Sequence, residues 1–189
     1  MIILASASPR RRELLAAAGI DHVVEAANVD ETPRDGEAPA VYAERLARAK
    51  AAAVLAGHPT DTVLGADTVV VVDGQILGKP VDAADARRML EQLSDRDHVV
   101  LTAVAVARGD QLQASIAETS VSMRKISPLE IAAYVETGEP MDKAGAYAIQ
   151  GGAARFIDRI SGEFDNVVGL PISVVRRLLS SVGGSYPDR

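Results

Sequence analysis

Apolar residues recur along this chain in two rhythms. Residues 2–4 and 62–72 are nearly continuous in apolar residues, many of them β-branched, the pattern of strands buried on both faces. Residues 98–107 and 111–124 read as two long strands joined across Arg108-Gly109-Asp110, and shorter strands are predicted at 22–25 and 154–160. Helical spacing marks residues 9–18, stopped by Gly19, and residues 38–56, ending at Gly57 with Lys50 on the polar side. Further helices are predicted at 81–93, at 127–137 closed by Gly138, and from Leu170-Pro171 to Gly183. Residues 161–166 read as a loop, and Asp73-Gly74 is a two-residue hairpin signal that returns the chain through residues 75–77. Ser8-Pro9 and Ser127-Pro128 repeat one helix start, a capping hydroxyl followed by a ring whose fixed φ suits the first helical position. Alternating strands and helices early, with hairpins in the middle, predict an α/β fold: a long mixed sheet with flanking helices. No repeat or low-complexity linker interrupts the pattern, so residues 1–189 read as one domain, with two lobes around a cleft.

Composition narrows the function. A formal net charge of −6 argues against broad nucleic-acid binding and makes any basic cluster a local site. With 3% aromatic residues and no Trp, a base-stacking platform is not expected. The absence of Cys excludes disulfides, thiolate metal sites and Cys nucleophiles, and fits a reducing compartment. Met1-Ile2-Ile3-Leu4 lacks the basic leader of a signal peptide, and Asp67 and Asp73 bracket the longest candidate span. The expectation is a cytoplasmic protein without a membrane partner.

Three places carry candidate chemistry. Arg10, Arg11 and Arg12 fall in the first turn of a helix, where the macrodipole is already positive and each cation is unfavourable by roughly 0.3–1 kcal/mol. An anion removes the conflict, because a strand–loop–helix start with unpaired N–H groups and arginines is a phosphate site. The plainer reading is a set of solvated arginines offset by Glu13. On either reading Arg11→Ala should cost little stability. Asp67 interrupts an apolar strand, where a carboxylate is expensive unless paired, hydrogen-bonded or metal-bound. Pairing Val72 with Gln75 and counting outward brings Thr68 opposite Lys79, with Asp67 a diagonal neighbour at roughly 7–8 Å. A structural Asp67–Lys79 ion pair is the competing account. Asp30 and Glu31 lie in the polar loop 28–37, from which a carboxylate can hold a hard cation through oxygen. Taken singly, that acidic loop, Lys50 and Gln150 are ordinary surface features, though the Gln150 amide can address a base edge.

Other chemistries are set aside. The run from Gly74 to Pro80 is one residue short of a Walker A loop and has Pro80 where Ser or Thr should stand. There is no G-x-S-x-G elbow, and His22, His58 and His98 are isolated. Cations for phosphate, carboxylates for a hard metal and no protein nucleophile suit direct attack of water on a phosphate ester or anhydride.

Read together, these residues resemble the Maf family of nucleoside triphosphate pyrophosphatases over nearly the whole chain. The resemblance rests on Leu4-Ala5-Ser6-Ala7-Ser8-Pro9-Arg10-Arg11, Arg45-Leu46-Ala47-Arg48-Ala49-Lys50, Gly65-Ala66-Asp67-Thr68 and Gly78-Lys79-Pro80. It continues in Asp142-Lys143-Ala144-Gly145-Ala146-Tyr147, Gln150-Gly151 and Asn166-Val167-Val168-Gly169-Leu170-Pro171. It implies an ITPase-like fold and hydrolysis of a nucleoside triphosphate to monophosphate and pyrophosphate, with Mg²⁺ or Mn²⁺ as cofactor. By motif, Ser8, Arg10 and Arg11 fall at the triphosphate-binding start, and Lys50 and Lys79 at phosphate-contacting lysines. Asp67 falls at the general base and metal position, and Glu31 at the acidic metal position, with its neighbour Asp30 as the alternative. Arg11, Thr68, Lys79 and Gln150 together resemble the branch acting on dTTP and UTP, with modified pyrimidine nucleotides as a further class to test. Homodimerisation is a second implication. The rival implied role is a non-catalytic nucleotide-binding regulator of septum formation.

Overall fold

The strand β1 (Ile2–Leu4) lies between two parallel neighbours, β2 (Val23–Val24) and β3 (Thr62–Val72), in a computed structural model that describes residues 1–183. The helix α1 (Pro9–Ala17) connects β1 to β2, and α2 (Pro39–Leu55) carries the chain from β2 back past β1 to β3. Strand order thus reverses at β1, and in open α/β sheets such a switch point opens a crevice at the carboxyl ends of the strands. Leu4 pairs with Leu64, and Ala5 N–H donates to the Leu64 carbonyl at 2.8 Å. The segment after β1 therefore runs beside Gly65, Ala66 and Asp67.

Beyond β3 the strand order continues with β5 (Asp97–Arg108), β6 (Gln111–Met123) and β7 (Ile157–Ser161), while β4 (Gln75–Leu77) pairs antiparallel with β3. The β3–β4 register is Val72 to Gln75, as Asp73-Gly74 predicts. Both turn residues have positive φ, +50° and +76°, which a two-residue hairpin turn demands. The ladder ends at Val70–Leu77, short of Thr68 and Lys79, so the expected cross-strand pairing at the hairpin base does not form.

The helix α3 (Ala83–Leu93) starts two residues after the predicted position, because the Asp82 side chain accepts from Asp85 N–H at 2.8 Å and fixes the cap there. The helix α4 (Pro128–Glu136) begins with a full capping box between Ser127 and Glu130. Residues Gly152–Phe156 form a 3₁₀ turn that delays β7 to Ile157. A short helix, α5 (Phe164–Val168), replaces the predicted loop, and α6 (Ile172–Ser181) follows.

The chain divides into two compact units. The first comprises Met1–Asp67, Thr102–Ala117 and the chain from Gly169, and the second Thr68–Leu101 and Glu118–Val168. Each has its own core. Leu4, Leu15, Leu64, Val104, Leu170, Val175 and Leu179 pack in the first, and Val70, Leu90, Leu93, Val121, Tyr134 and Phe156 in the second.

One residue sets how closely α2 packs on β3. A Cβ on Gly65 would lie 2.3 Å from the Ala47 carbonyl oxygen and 2.7 Å from the Ala51 amide nitrogen. Both atoms are helix backbone and cannot rotate aside. Gly65→Ala should therefore lift α2 from the sheet at an overpacking cost of about 3 kcal/mol. The readout is a drop in Tm of ~6–12 °C in thermal unfolding. An unchanged Tm would show that the helix shifts freely.

Candidate active site

The buried face of α2 is Ala43, Leu46, Ala47, Lys50, Ala51 and Val54. Lys50 thus stands in the apolar stripe, contrary to its predicted place on the polar side, and only 8% of it is exposed. The 43-46-47-50-54 spacing contains that information, since these positions recur at three and four residues along one helix face. The close Gly65 packing brings the Lys50 ammonium onto β3, where Nζ lies 2.7 Å from Asp67 Oδ1. Nζ also lies 2.7 Å from Oε1 of Glu31. A single buried cation thus gathers two carboxylates from different elements. Lys50, not Lys79, is the ion-pair partner of Asp67.

Asp67 is 8% exposed, and burial raises its pKa above the ordinary aspartate value. The charges of Lys50 and Arg11 oppose that rise, and Glu31 adds to it. Burial wins over two cations, so Asp67 binds a proton more readily than a surface aspartate does.

Arg11 is fixed from inside the first unit. Its Nη1 donates to the Ala66 carbonyl at 2.8 Å and to Ser6 Oγ at 3.2 Å, and its Nε donates to the Gly169 carbonyl at 2.9 Å. Burial lowers the pKa of this guanidinium, and Asp67 raises it in part. Arg11→Ala would thus strip three internal hydrogen bonds, so the expectation of little cost in stability does not hold. Ser6, which sequence reasoning passed over, is buried and also accepts from Ser8 N–H at 3.2 Å. Ser8 occupies the N-cap position of α1 with extended dihedrals, but its side chain makes no capping bond. The helical ladder starts with Arg12 N–H to the Ser8 carbonyl at 3.3 Å, placing Arg10 and Arg11 in the first turn, as predicted.

The acidic loop is held by the same helix that carries Lys50. Tyr42 Oη donates to the Glu31 carbonyl at 2.8 Å, and Arg45 Nη2 donates to the Thr32 carbonyl at 3.1 Å. Arg45 also grips Glu37 with two bonds, at 2.6 and 2.7 Å, and stacks over the Tyr42 ring at 5.4 Å. Asp30 turns back on its own loop, accepting from Thr32 N–H at 2.9 Å, and hydrogen bonds from the Thr32 hydroxyl and then its N–H lower its pKa. Of the two acidic neighbours, Glu31 is therefore the one whose carboxylate reaches Lys50.

These donors suit a hard divalent ion. Two carboxylate oxygens converge on one cationic atom. Among the described residues no group of three or more His, Asp or Glu gathers to hold a metal alone. Two carboxylates match Mg²⁺, which takes one or two from the protein and the rest from phosphates and water.

The remaining predicted residues belong to the second unit. Thr68 follows Asp67 on β3, and Lys79 is exposed after β4. The Gly78 carbonyl beside Lys79 accepts from Gly145 N–H at 3.0 Å, so the Asp142–Tyr147 motif fixes the Lys79 turn. Gln150 is exposed. Sequence reasoning gave no role to Asn166, which is fully buried and donates to the Val100 carbonyl at 3.1 Å and to Thr119 Oγ1 at 2.9 Å.

The loop clamp has a pH signature. The Arg45 bonds hold the Glu37 carboxyl down to about 2, against an ordinary value of 4.5. A depressed carboxylate stabilises the fold above its unfolded pKa and loses that contribution as pH falls through the folded one. Amide signals of Thr32 and Arg34 should therefore stay native from pH 7 to 4.5 and loosen only between 4.5 and about 2, followed by NMR. Loosening already at pH 5 would contradict the clamp.

Comparison with known proteins gives the family and the fold. The family described as Maf-like protein matches residues 1–182. A protein of Symbiobacterium thermophilum named dTTP/UTP pyrophosphatase is 53% identical, over 98% of this chain and 95% of that one. One of Geobacter sulfurreducens with the same name is 53% identical over 96% of each. Among solved structures, the Staphylococcus aureus Ham1 protein superposes with a TM-score of 0.56 at 16% identity, covering 96% of this chain and 98% of that one, a likeness of fold. The chain belongs to the Maf family.

Proposed function

We propose that this protein is a hydrolase of phosphoric anhydrides that converts dTTP and UTP to the nucleoside monophosphate and pyrophosphate. The observation that carries the reading is the Lys50 ammonium 2.7 Å from both Asp67 and Glu31, in the same unit as a half-buried Arg11 held by the Ala66 carbonyl. A site that only bound nucleotide would need the cations but not a buried carboxylate of raised proton affinity. The names of relatives that match along nearly the whole chain support the substrate class.

In this reading Ser8, Arg10, Arg11, Lys50, Thr68 and Lys79 hold the triphosphate, and Gln150 addresses the base. Glu31 and Asp67 would hold Mg²⁺ or Mn²⁺, which supplies positive charge to the phosphate oxygens and acidifies water. Asp67 accepts the proton of the attacking water as its oxygen bonds to the α-phosphorus. The bond from that phosphorus to the bridging oxygen breaks, and pyrophosphate leaves with the electron pair. Charge builds on the phosphoryl oxygens and on the leaving group, and fixed cations stabilise it more than they stabilise the ground state. Raised proton affinity brings Asp67 closer to the working pH, where a base transfers protons best.

With Mg²⁺ or Mn²⁺, dTTP and UTP should release pyrophosphate in a coupled assay, and a chelator should abolish the release. Single orthophosphate as product would remove the α-phosphorus assignment. Asp67→Asn should lower kcat by about 10²–10⁴-fold, the usual contribution of a general base. Its Tm should hold or rise, because a carboxylate of raised pKa destabilises the fold once ionised at neutral pH. The acid limb of kcat/KM should lie above the ordinary aspartate value of 3.8. Lys50→Met removes the strongest opposing charge, so that limb should move to higher pH. A limb that stays in place would mean that another group titrates.

A further inference from the structure

The loop that carries Gln150 is tied down by residues to which neither the motifs nor the proposed mechanism gives a role. Glu139 accepts from Gly152 N–H with both carboxylate oxygens, at 3.0 and 3.1 Å, and from Tyr134 Oη at 2.8 Å. The same Tyr134 hydroxyl accepts from Ala148 N–H at 3.2 Å. One carboxylate and one phenol therefore bracket residues 148–152 from both sides of Gln150. Tyr134 is fully buried in the second core and packs edge-on against Phe156 at 5.6 Å, which gives the clamp a rigid base.

The two glycines after Gln150 follow from this clamp. A Cβ on Gly151 would lie 2.1 Å from Glu139 Oε1, and one on Gly152 would lie 3.2 Å from the Tyr134 ring. A side chain at Gly151 would push the carboxylate off the Gly152 amide. Gln150 itself is exposed, and its amide makes no hydrogen bond among the described residues. The protein thus fixes the backbone on both sides of an amide that it leaves unengaged. A primary amide presents one donor face and one acceptor face and can rotate to match either the imide edge of uracil and thymine or the amino edge of cytosine. Selectivity between them must come from how the loop aims that amide.

We infer that Glu139 and Tyr134 are positioning residues for base selectivity: their clamp on residues 148–152 fixes Gln150 for the imide edge of a pyrimidine. This rests on the proposed reading of Gln150 as the residue that meets the base. Neither clamp residue touches the nucleotide, and both act through the loop. Glu139→Gln keeps size and one acceptor, but it turns an NH₂ toward a site where both the Gly152 N–H and the Tyr134 hydroxyl donate. Tyr134→Phe keeps the ring packing and removes the hydroxyl alone.

The test measures Kd for dTTP and for CTP by calorimetry in EDTA, on the wild-type chain and both variants, so that binding is read without turnover. The wild type should prefer dTTP, and each variant should lose about tenfold of that preference through weaker dTTP binding. In turnover the change should appear in KM for dTTP, with kcat within about twofold. Hydrogen exchange at the Gly152 amide should quicken in both variants. A merely structural role would lower Tm and weaken the two nucleotides alike. Variants that keep the wild-type preference while Gly152 exchanges faster would overturn the inference, as would a wild type with no preference. A wild type that binds dTTP selectively without hydrolysing it would instead remove the proposed activity and leave the clamp standing. Where Glu139→Gln fails to fold, Tyr134→Phe decides.

Discussion

One cation between two carboxylates organises the first unit. Lys50 can reach Asp67 only because Gly65 lets α2 lie against β3 with its backbone in contact. Removing Lys50 would leave the Asp67 carboxylate buried without its nearest cation, a break that typically costs about 3–5 kcal/mol in a buried pair, whereas the intact pair contributes little net stability. The triad of Glu31, Lys50 and Asp67 is therefore a costly arrangement to keep, and its value lies in what it does. It holds an aspartate dry and close to a positive charge. It also draws in an exposed loop through Glu31, with Tyr42 and Arg45 of the same helix supporting that loop from behind. Helix α2 is thus at once a core element, a source of charge and a scaffold.

Much of the fold was legible in the residues. The apolar run 62–72 and the Asp73-Gly74 turn fix β3 and its hairpin to the residue, because the positive φ at both turn positions admits few other arrangements. Ser127-Pro128 announces the start of α4, and the structure adds a capping box with Glu130 that this pattern did not name. The helix α5 was missed because five residues are too few to show a period. Its buried Asn166 has long-range partners, at Val100 and Thr119, that no local pattern reveals.

The site was legible as a set of residue types, less so as a set of partners. Asp67 stood out because a carboxylate in an apolar strand demands compensation. The hairpin geometry offered Lys79 as the compensating charge, whereas packing across 17 residues of sequence supplied Lys50. Hairpin register is local and can be counted, but the meeting of a helix with a strand depends on the space that Gly65 leaves. Arg11 shows the same limit. The helix dipole argues for an anion at its charge, yet its Nε donates to the Gly169 carbonyl and its Nη1 to the Ala66 carbonyl. A regulator of septum formation that only bound nucleotide would have little use for the buried Asp67.

The first unit is assembled from three separated stretches, with the second unit's segments threaded between them. Its core draws Val174, Val175, Leu178, Leu179 and Val182 from the last stretch to cover Leu4, Leu15 and Leu64 from the first. On the ribosome, this half cannot close until residue 182 has emerged, although its opening strand is made at once. Leu64 and Ala66 of β3 then wait without their final cover, and an uncovered apolar strand is the kind of surface that other chains pair with. Vectorial synthesis therefore makes α6 the kinetic latch of the first unit. Substitutions in α6 far from any nucleotide would be felt first as lost yield of soluble protein.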